Sequence, residues 1–143
     1  MELISRQNMK QVTVSGAIIL RTNPETHKKE VLATQRGYGD FKGGWEIPGG
    51  KLEPGETPQQ CIVREISEEL AIKIKAEKIV GVVDFDYPAF HLTMHCILCS
   101  IVEGEPKLLE HKAAKWLTKE TLHDVDWLPA DKLILKEIEN ILS

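Results

Sequence analysis

Three glutamates close together in the sequence are the side chains best placed to do chemistry. Glu65, Glu68 and Glu69 fall within five positions, in a stretch that is predicted to be helical. Each residue of an α-helix turns the chain by about 100°, so the three carboxylates share one arc of the helix. Beside that arc lies a predicted apolar stripe, made of Ile62, Val63, Ile66 and Leu70. No lysine four residues further on offsets the acids, which repel one another by about 0.2–0.5 kcal/mol per i,i+4 pair.

Two interpretations of these acids are open, a solvated helix face and a cation site. A run of charge usually marks a solvated face. Here, however, the acids adjoin the apolar stripe, and the glycine-rich turn IPGGKLEPGE, which ends on a fourth carboxylate, Glu56, precedes the helix. Glycines let backbone groups approach a ligand closely, and Mg²⁺ usually binds a few carboxylates together with substrate phosphates. The pattern therefore favours a Mg²⁺ or Mn²⁺ site.

The composition predicts one compact domain spanning residues 1–143. The chain is 42% hydrophobic and 28% charged, and its net charge of −4 gives no general attraction to nucleic acid or to an anionic membrane. A polyanionic ligand would therefore need bound cations to reverse the local field. The first ten residues lack an apolar segment, and no apolar run reaches the roughly 18 residues of a membrane span. Three cysteines without a paired framework indicate a reducing cytoplasm, and we expect a monomer or a weak homodimer.

A second metal site, for zinc, is suggested by Cys96 and Cys99 with His91 and His95 nearby. The stretch FHLTMHCILCSIV has the pattern of a strand, in which the two cysteines point to opposite faces. We therefore expect both to be packing residues.

The order of predicted elements indicates an α+β domain in which helices pack on a mixed sheet. Thr57 caps the acidic helix and Pro58 begins it, and the sequence PGG forms a turn at residues 48–50. Thr118 is expected to cap a short helix at residues 119–123. The predicted strands are residues 12–20, 30–36, 45–47, 74–85, 90–102 and 113–117, and a final helix covers residues 130–142.

The acidic helix and the turn before it resemble the signature of the Nudix family, G-x5-E-x7-R-E-U-x-E-E-x-G-U with U aliphatic. Residues 50–72 match eight of its nine specified positions, and the exception is Ala71, where the family usually has glycine. The segments TQR, GGWEIPGGKLEPGE, EHKAAKW and LPADKLIL extend the resemblance to the MutT type, which includes CTP pyrophosphohydrolases and 8-oxo-dGTP diphosphatases. The resemblance implies a Nudix α/β/α sandwich with a mixed central sheet.

The resemblance also implies roles for individual residues. The metal ligands it implies are Glu65, Glu68, Glu69, Glu110 and the backbone carbonyl of Gly49. In the implied catalytic set, Glu65 contacts or deprotonates the attacking water, with Glu110 as a rival base, while Arg64 orients Glu65 and Glu56 supports the turn. The residues implied to contact substrate are Arg36, Glu46, Ile47, Pro48, Gly49 and Asp131, with Arg36 on the phosphates and Asp131 on the base.

Two of these positions keep a second interpretation. Asp131 at the start of a helix is favourable through the helix dipole alone. As an ionised base reader it would only accept hydrogen bonds, which suits guanine or cytosine. Ile47 lines the nucleotide or belongs to the core. In the same way, Trp116, Trp127, Phe85 and Tyr87 either stack on a base or, as is more usual for aromatic residues, pack in the interior.

Three functions fit the sequence. The first is Mg²⁺-dependent hydrolysis of a (deoxy)nucleoside triphosphate to a nucleoside monophosphate and pyrophosphate, by attack at the β-phosphorus, with 8-oxo-dGTP, CTP or methylated dCTP among the candidate substrates. The second is hydrolysis of another nucleoside diphosphate derivative, such as an ADP-sugar or a dinucleotide polyphosphate. The third is a non-catalytic nucleotide-binding module, which the intact acidic helix makes the weakest of the three.

Overall fold

The computed structural model describes residues 9–143. The strands are β1 (Lys10–Thr22), β2 (Lys29–Gln35), β3 (Trp45–Glu46), β4 (Gly49–Lys51), β5 (Lys73–Tyr87), β6 (Phe90–Glu103) and β7 (Ala113–Leu117). The helices are α1 (Pro58–Leu70), α2 (Pro129–Lys132) and α3 (Leu135–Leu142), with a 3₁₀ turn at Leu122–Asp124. The β-branched run of β1 and the long antiparallel pair β5–β6 form as predicted.

The strands form one mixed sheet in the order β3-β2-β1-β6-β5, with β4 paired to β1 and β7 paired to β2. The long strands β1 and β6 run parallel, which places Gly16 opposite Cys96, and the other pairs are antiparallel. The β1–β6 pair therefore lies in the middle of the sheet. Strand β4, which precedes the acidic helix α1 in the chain, pairs with β1.

Helices cover both faces of the sheet, which confirms the α/β/α sandwich. On one face α1 packs through Ile62, Ile66 and Leu70. On the other face α3 packs through Leu135, Ile138 and Leu142. Cys96 belongs to the second core and Cys99 to the first, so the two thiols lie on opposite sides of the sheet as predicted. None of the helices in the described part of the chain is long and apolar enough to cross a bilayer.

Three of the predicted elements differ from those in the structure. The expected glycine turn is instead the start of β4, which pairs with β1. In this pair Gly49 lies so close to the Ser15 carbonyl that a Cβ atom would overlap it. The helix expected at residues 119–123 is replaced by a tighter turn, in which the Thr121 hydroxyl accepts from the Thr118 N–H at 2.8 Å. The final helix is interrupted by a turn at Leu133 and Ile134, which separates α2 from α3.

Helix α1 begins as predicted and ends unusually. Thr57 and Gln60 form a reciprocal capping box, and Pro58 occupies the first turn. The buried stripe uses Cys61 in place of the predicted Val63, which is 37% exposed. Ala71 ends the helix in the left-handed conformation, at φ 55° and ψ 37°, and donates its N–H to the Ser67 carbonyl. Ala71 therefore adopts a left-handed conformation that favours glycine, at the position where the resembled signature has glycine.

Candidate active site

One cleft of about 560 Å³ collects most of the predicted site residues. Segments from β1, β4, α1, the β5–β6 hairpin and the loops after β2 and β6 line it. The predicted site residues that it contains are Arg36, Glu46, Ile47, Gly49, Glu65, Glu69, Glu110 and Asp131. Those outside its lining are Glu56, Arg64 and Glu68, together with Pro48, which is buried and accepts from the Ala17 N–H at 2.7 Å.

Arg64 donates hydrogen bonds to three of the acids, Glu56, Glu65 and Glu68. Its Nε and Nη2 donate to the two carboxylate oxygens of Glu56, at 2.7 and 2.9 Å. Its Nη1 donates to Glu65 at 2.9 Å and to Glu68 at 3.2 Å. Arg64 therefore supplies the counter-charge to Glu65 and Glu68 that no lysine provides. The orienting role predicted for Arg64 and the supporting role predicted for Glu56 are compatible with this geometry.

Glu69 forms no ion pair with a cationic side chain among residues 9–143. It is 9% exposed, and its Oε2 atom is buried without a hydrogen-bond partner. Burial, and then the charges of Glu65 and Glu110, raise the pKa of Glu69 to about 8. A buried carboxylate oxygen without a donor costs free energy, and a bound cation would relieve that cost. The donor set therefore fits a hard divalent cation.

The predicted metal ligands are only partly assembled. Gly50 lies against the Glu65 carboxylate, since a Cβ atom there would overlap it. The Leu109 N–H donates to the Glu69 carbonyl at 3.3 Å and holds the segment that carries Glu110. Glu68 is turned toward Arg64, and its side chain is 58% exposed. Within residues 9–143, no three acidic, histidine or cysteine side chains already form a metal-binding group, so the complete ligand set stays a prediction.

Arg36 is partly engaged within the protein, through three of its five N–H groups. Its Nε and Nη2 bind both oxygens of Glu46, at 3.1 and 2.7 Å, and its Nη1 donates to the Asp40 carbonyl at 3.1 Å. This bidentate pair lies in the wall of the cleft and ties β3 to the loop after β2. Contact of Arg36 with phosphate stays a prediction, and the side chain, which is 36% exposed, keeps N–H groups without a partner among residues 9–143 for it.

Asp131 is buried at the start of α2 and faces the cleft. It is 4% exposed, and its Oδ2 accepts from the Ile47 N–H at 2.9 Å. Burial, followed by the negative charge of Glu46, raises the pKa of Asp131 to about 8. One carboxylate oxygen is thus held by the backbone of Ile47, and contact of Asp131 with a base stays a prediction. Ile47, 3% exposed and in the cleft lining, satisfies both of its interpretations.

The aromatic predictions are partly correct. Of the four aromatic residues named above, Tyr87 lines the cleft, while Phe85, Trp116 and Trp127 do not. The cleft also contains Tyr38 and Phe41 from the glycine-rich loop and Phe90 from β6, which sequence reasoning missed. For Phe90, a signal was available in its pairing with Tyr87 across the β5–β6 turn. Paired residues share a face of the sheet, so a prediction for Tyr87 applies to Phe90 as well.

His111 is a further residue that sequence reasoning missed. It lines the cleft next to Glu110 in the chain, and its Nδ1 atom is buried without a partner. Burial lowers its pKa, so the imidazole is neutral at pH 7. Adjacency to Glu110 was the only sequence signal for it.

Comparison with known proteins places the fold and the site in one family. A family model described as the NUDIX domain matches residues 12–139. A Mycobacterium tuberculosis protein named putative 8-oxo-dGTP diphosphatase 2 is 34% identical over 138 residues, which cover 94% of this chain and 92% of that one. The Escherichia coli CTP pyrophosphohydrolase is 31% identical over 128 residues, 90% of this chain and 91% of that one. The crystal structure of a MutT protein from Methanosarcina mazei Go1 superposes with a TM-score of 0.76 at 25% identity, over 94% of this chain and 96% of that one. The chain belongs to the Nudix family of hydrolases.

Proposed function

We propose that this protein is a Mg²⁺-dependent nucleoside triphosphate pyrophosphohydrolase that releases a nucleoside monophosphate and pyrophosphate. Oxidised or modified nucleotides, such as 8-oxo-dGTP or methylated dCTP, and CTP are its candidate substrates. The observation that carries the proposal is the content of the cleft. It combines the uncompensated carboxylate of Glu69, beside Glu65 and Glu110, with an aromatic pocket that contains one buried carboxylate, Asp131. The names of the two sequence relatives support the same reaction class.

Glu65, Glu69, Glu110 and the carbonyl of Gly49 are the groups that would hold the metal. Mg²⁺ bound there would screen the triphosphate charge and lower the pKa of a bound water. Mn²⁺ would substitute, since it accepts similar oxygen ligands. Glu68 would join the set only by leaving Arg64, to which it is hydrogen-bonded at 3.2 Å.

The side chains of the protein would orient the substrate and accept the proton. Arg64 holds the Glu65 carboxylate at 2.9 Å and fixes its direction over Gly50. From that position Glu65 would take the proton of the water that attacks the β-phosphorus. Glu110, which is exposed at the edge of the cleft, is the rival base.

A substrate panel tests the reaction. Canonical, oxidised and methylated triphosphates, ADP-ribose and dinucleotide polyphosphates are incubated with the protein and Mg²⁺, and pyrophosphate and phosphate are measured separately. Attack at the β-phosphorus predicts that H₂¹⁸O labels pyrophosphate and leaves the monophosphate unlabelled. Phosphate release, or a preference for ADP-ribose or dinucleotides, would contradict the proposal.

Metal binding is measured independently of turnover. We expect Mn²⁺ titrated into the wild type to bind at a site that Glu69→Gln weakens, because that variant removes the uncompensated carboxylate. Glu68→Gln serves as the matched comparison on the same helix. Equal loss of Mn²⁺ affinity in both variants would place Glu68 in the ligand set, and unchanged affinity in Glu69→Gln would refute the assignment.

A further inference from the structure

Tyr87 joins the wall of the cleft to the start of α2. Its ring lines the cleft at the end of β5 and is 6% exposed. Its hydroxyl oxygen accepts a hydrogen bond from the Ala130 N–H at 3.1 Å, between residues 43 positions apart in the chain. One side chain therefore contacts both the cleft and the helix that carries Asp131.

This hydrogen bond replaces a local cap on α2. The first N–H groups of a helix have no partner within the helix, and a side chain at the preceding residue usually supplies one. Leu128, which precedes α2, provides no side-chain cap. The Tyr87 hydroxyl, reaching across from the sheet, satisfies the N–H of Ala130 instead. It thereby sets where the first turn of α2 lies relative to β5.

Asp131 follows Ala130 directly, so the position of its carboxylate depends on this cap. Oδ2 of Asp131 is held by the Ile47 N–H at 2.9 Å, and the direction of Oδ1 then depends on where the backbone of α2 is held. The Ile47 N–H therefore holds the carboxylate itself, and the Tyr87 hydroxyl holds the backbone one residue before it.

The ring of Tyr87 also contacts the loop after β2. Phe41 of that loop packs on Tyr87 with ring centroids 4.9 Å apart, and Phe90 packs on it at 5.1 Å. Phe41 is 41% exposed and has a positive φ of 63°, a conformation that is uncommon for residues other than glycine. A nucleobase that enters beside Phe41 therefore meets the ring whose hydroxyl positions Asp131.

We propose that Tyr87 is a positioning residue for base selectivity, acting through Ala130 on the carboxylate of Asp131. This inference rests on the proposed function and deepens it, since it assigns base discrimination to a contact outside the Nudix signature. The hydroxyl, rather than the ring alone, carries the effect. Removal of the oxygen leaves the Ala130 N–H without its partner and releases the first turn of α2.

The test compares Tyr87→Phe with the wild type on GTP, CTP and UTP, which differ only in the base. We expect the ratio of kcat/KM between the best and the worst base to fall by at least about fivefold, through KM, with kcat on the best base within about twofold. Relative Kd values for GMP, CMP and UMP, measured by calorimetry without metal, should change in the same direction. Thr121→Val is the matched control, because it removes another hydroxyl that accepts from a backbone N–H, outside the cleft.

The outcomes separate the inference from the proposed function. Circular dichroism and Tm values establish first that both variants are folded, and assays are run well below the lower Tm. A wild type that hydrolyses no triphosphate refutes the proposed function, and the inference falls with it. A wild type that discriminates among bases while Tyr87→Phe discriminates equally refutes the inference alone. A wild type with no base preference, or an equal change of ratio in Thr121→Val, also overturns it.

Discussion

Arg64 and Glu56 form a bidentate ion pair that ties the turn before α1 to the helix. The two bonds are 2.7 and 2.9 Å long, and the Glu53 N–H donates a third bond to Glu56 at 3.0 Å. The hydrogen bond from Arg64, and then the one from the Glu53 backbone, lower the pKa of Glu56 to about 2. Planar, paired hydrogen bonds of this kind fix orientation as well as distance, so Glu56 holds Arg64 where it can direct Glu65.

Replacement of Glu56 by Gln should make stability less dependent on acid pH. The folded pKa of Glu56 lies below its ordinary value of 4.5, so its contribution to stability is present above about pH 4.5 and is lost as the pH falls toward 2. We expect urea midpoints of Glu56→Gln to lie below the wild type at pH 7 and to approach it at pH 3. Glu25→Gln, at an exposed carboxylate in the turn after β1, is the control. A deficit of equal size at both pH values would show that the charge is not responsible.

Replacement of Glu69 by Gln should abolish turnover and stabilise the metal-free protein. The charged form of Glu69 is disfavoured by burial and by its acidic neighbours, and the neutral amide avoids that cost. At pH 8 we expect a Tm above that of the metal-free wild type, turnover lower by at least about 10²-fold, and a much smaller rise in Tm on addition of Mg²⁺. Full activity of Glu69→Gln at saturating Mg²⁺ would contradict the assignment of the metal site.

The parts of the site that were predictable from sequence are local in the chain. Helical geometry placed Glu65 and Glu69 beside the buried side of α1, and the capping pattern of Thr57 and Pro58 fixed its start. Alternation in β6 separated Cys96 from Cys99. In each case the spacing within one element determines which side chains share a face.

The parts that sequence reasoning missed depend on contacts between distant segments. The Tyr87–Ala130 bond spans 43 positions, and neither residue type alone indicates it. The contact between Ile47 and Asp131 spans 84 positions and was approached only through the family resemblance. The ion pair between Arg64 and Glu68 joins residues four positions apart on α1, and the sequence prediction looked for lysines at that spacing and missed it.

Replacement of Ala71 by Gly should stabilise the protein without affecting turnover. Ala71 adopts φ 55° and ψ 37° at the end of α1, and this left-handed conformation costs a residue with a Cβ atom about 1–2 kcal/mol. Glycine removes that cost but loses more chain entropy on folding, so we expect a net gain of about 0.5–1 kcal/mol in the free energy of unfolding. Urea denaturation measures it. A loss of stability would show that the Ala71 methyl group has packing contacts that outweigh the strain.

Base preference should change with pH through Asp131. Burial first, and then Glu46, raise its pKa from 3.8 to about 8, while Arg36 acts in the opposite direction. The contribution of Asp131 to stability is therefore present below about pH 4 and is lost as the pH rises through 8.

The same titration changes what Asp131 offers to a base. Below pH 8 the carboxyl group is neutral, and its free oxygen can donate a hydrogen bond to an acceptor such as a ring nitrogen or carbonyl. Above pH 8 it only accepts, which favours bases that present N–H groups. We expect the kcat/KM ratios among GTP, CTP and UTP to differ between pH 7 and pH 9 in the wild type. In Asp131→Asn, which has no titrating group at this position, the ratios should change less, by only what the ionisation of guanine and uracil themselves produces at pH 9. Ratios that change equally in both proteins would remove Asp131 as the base reader.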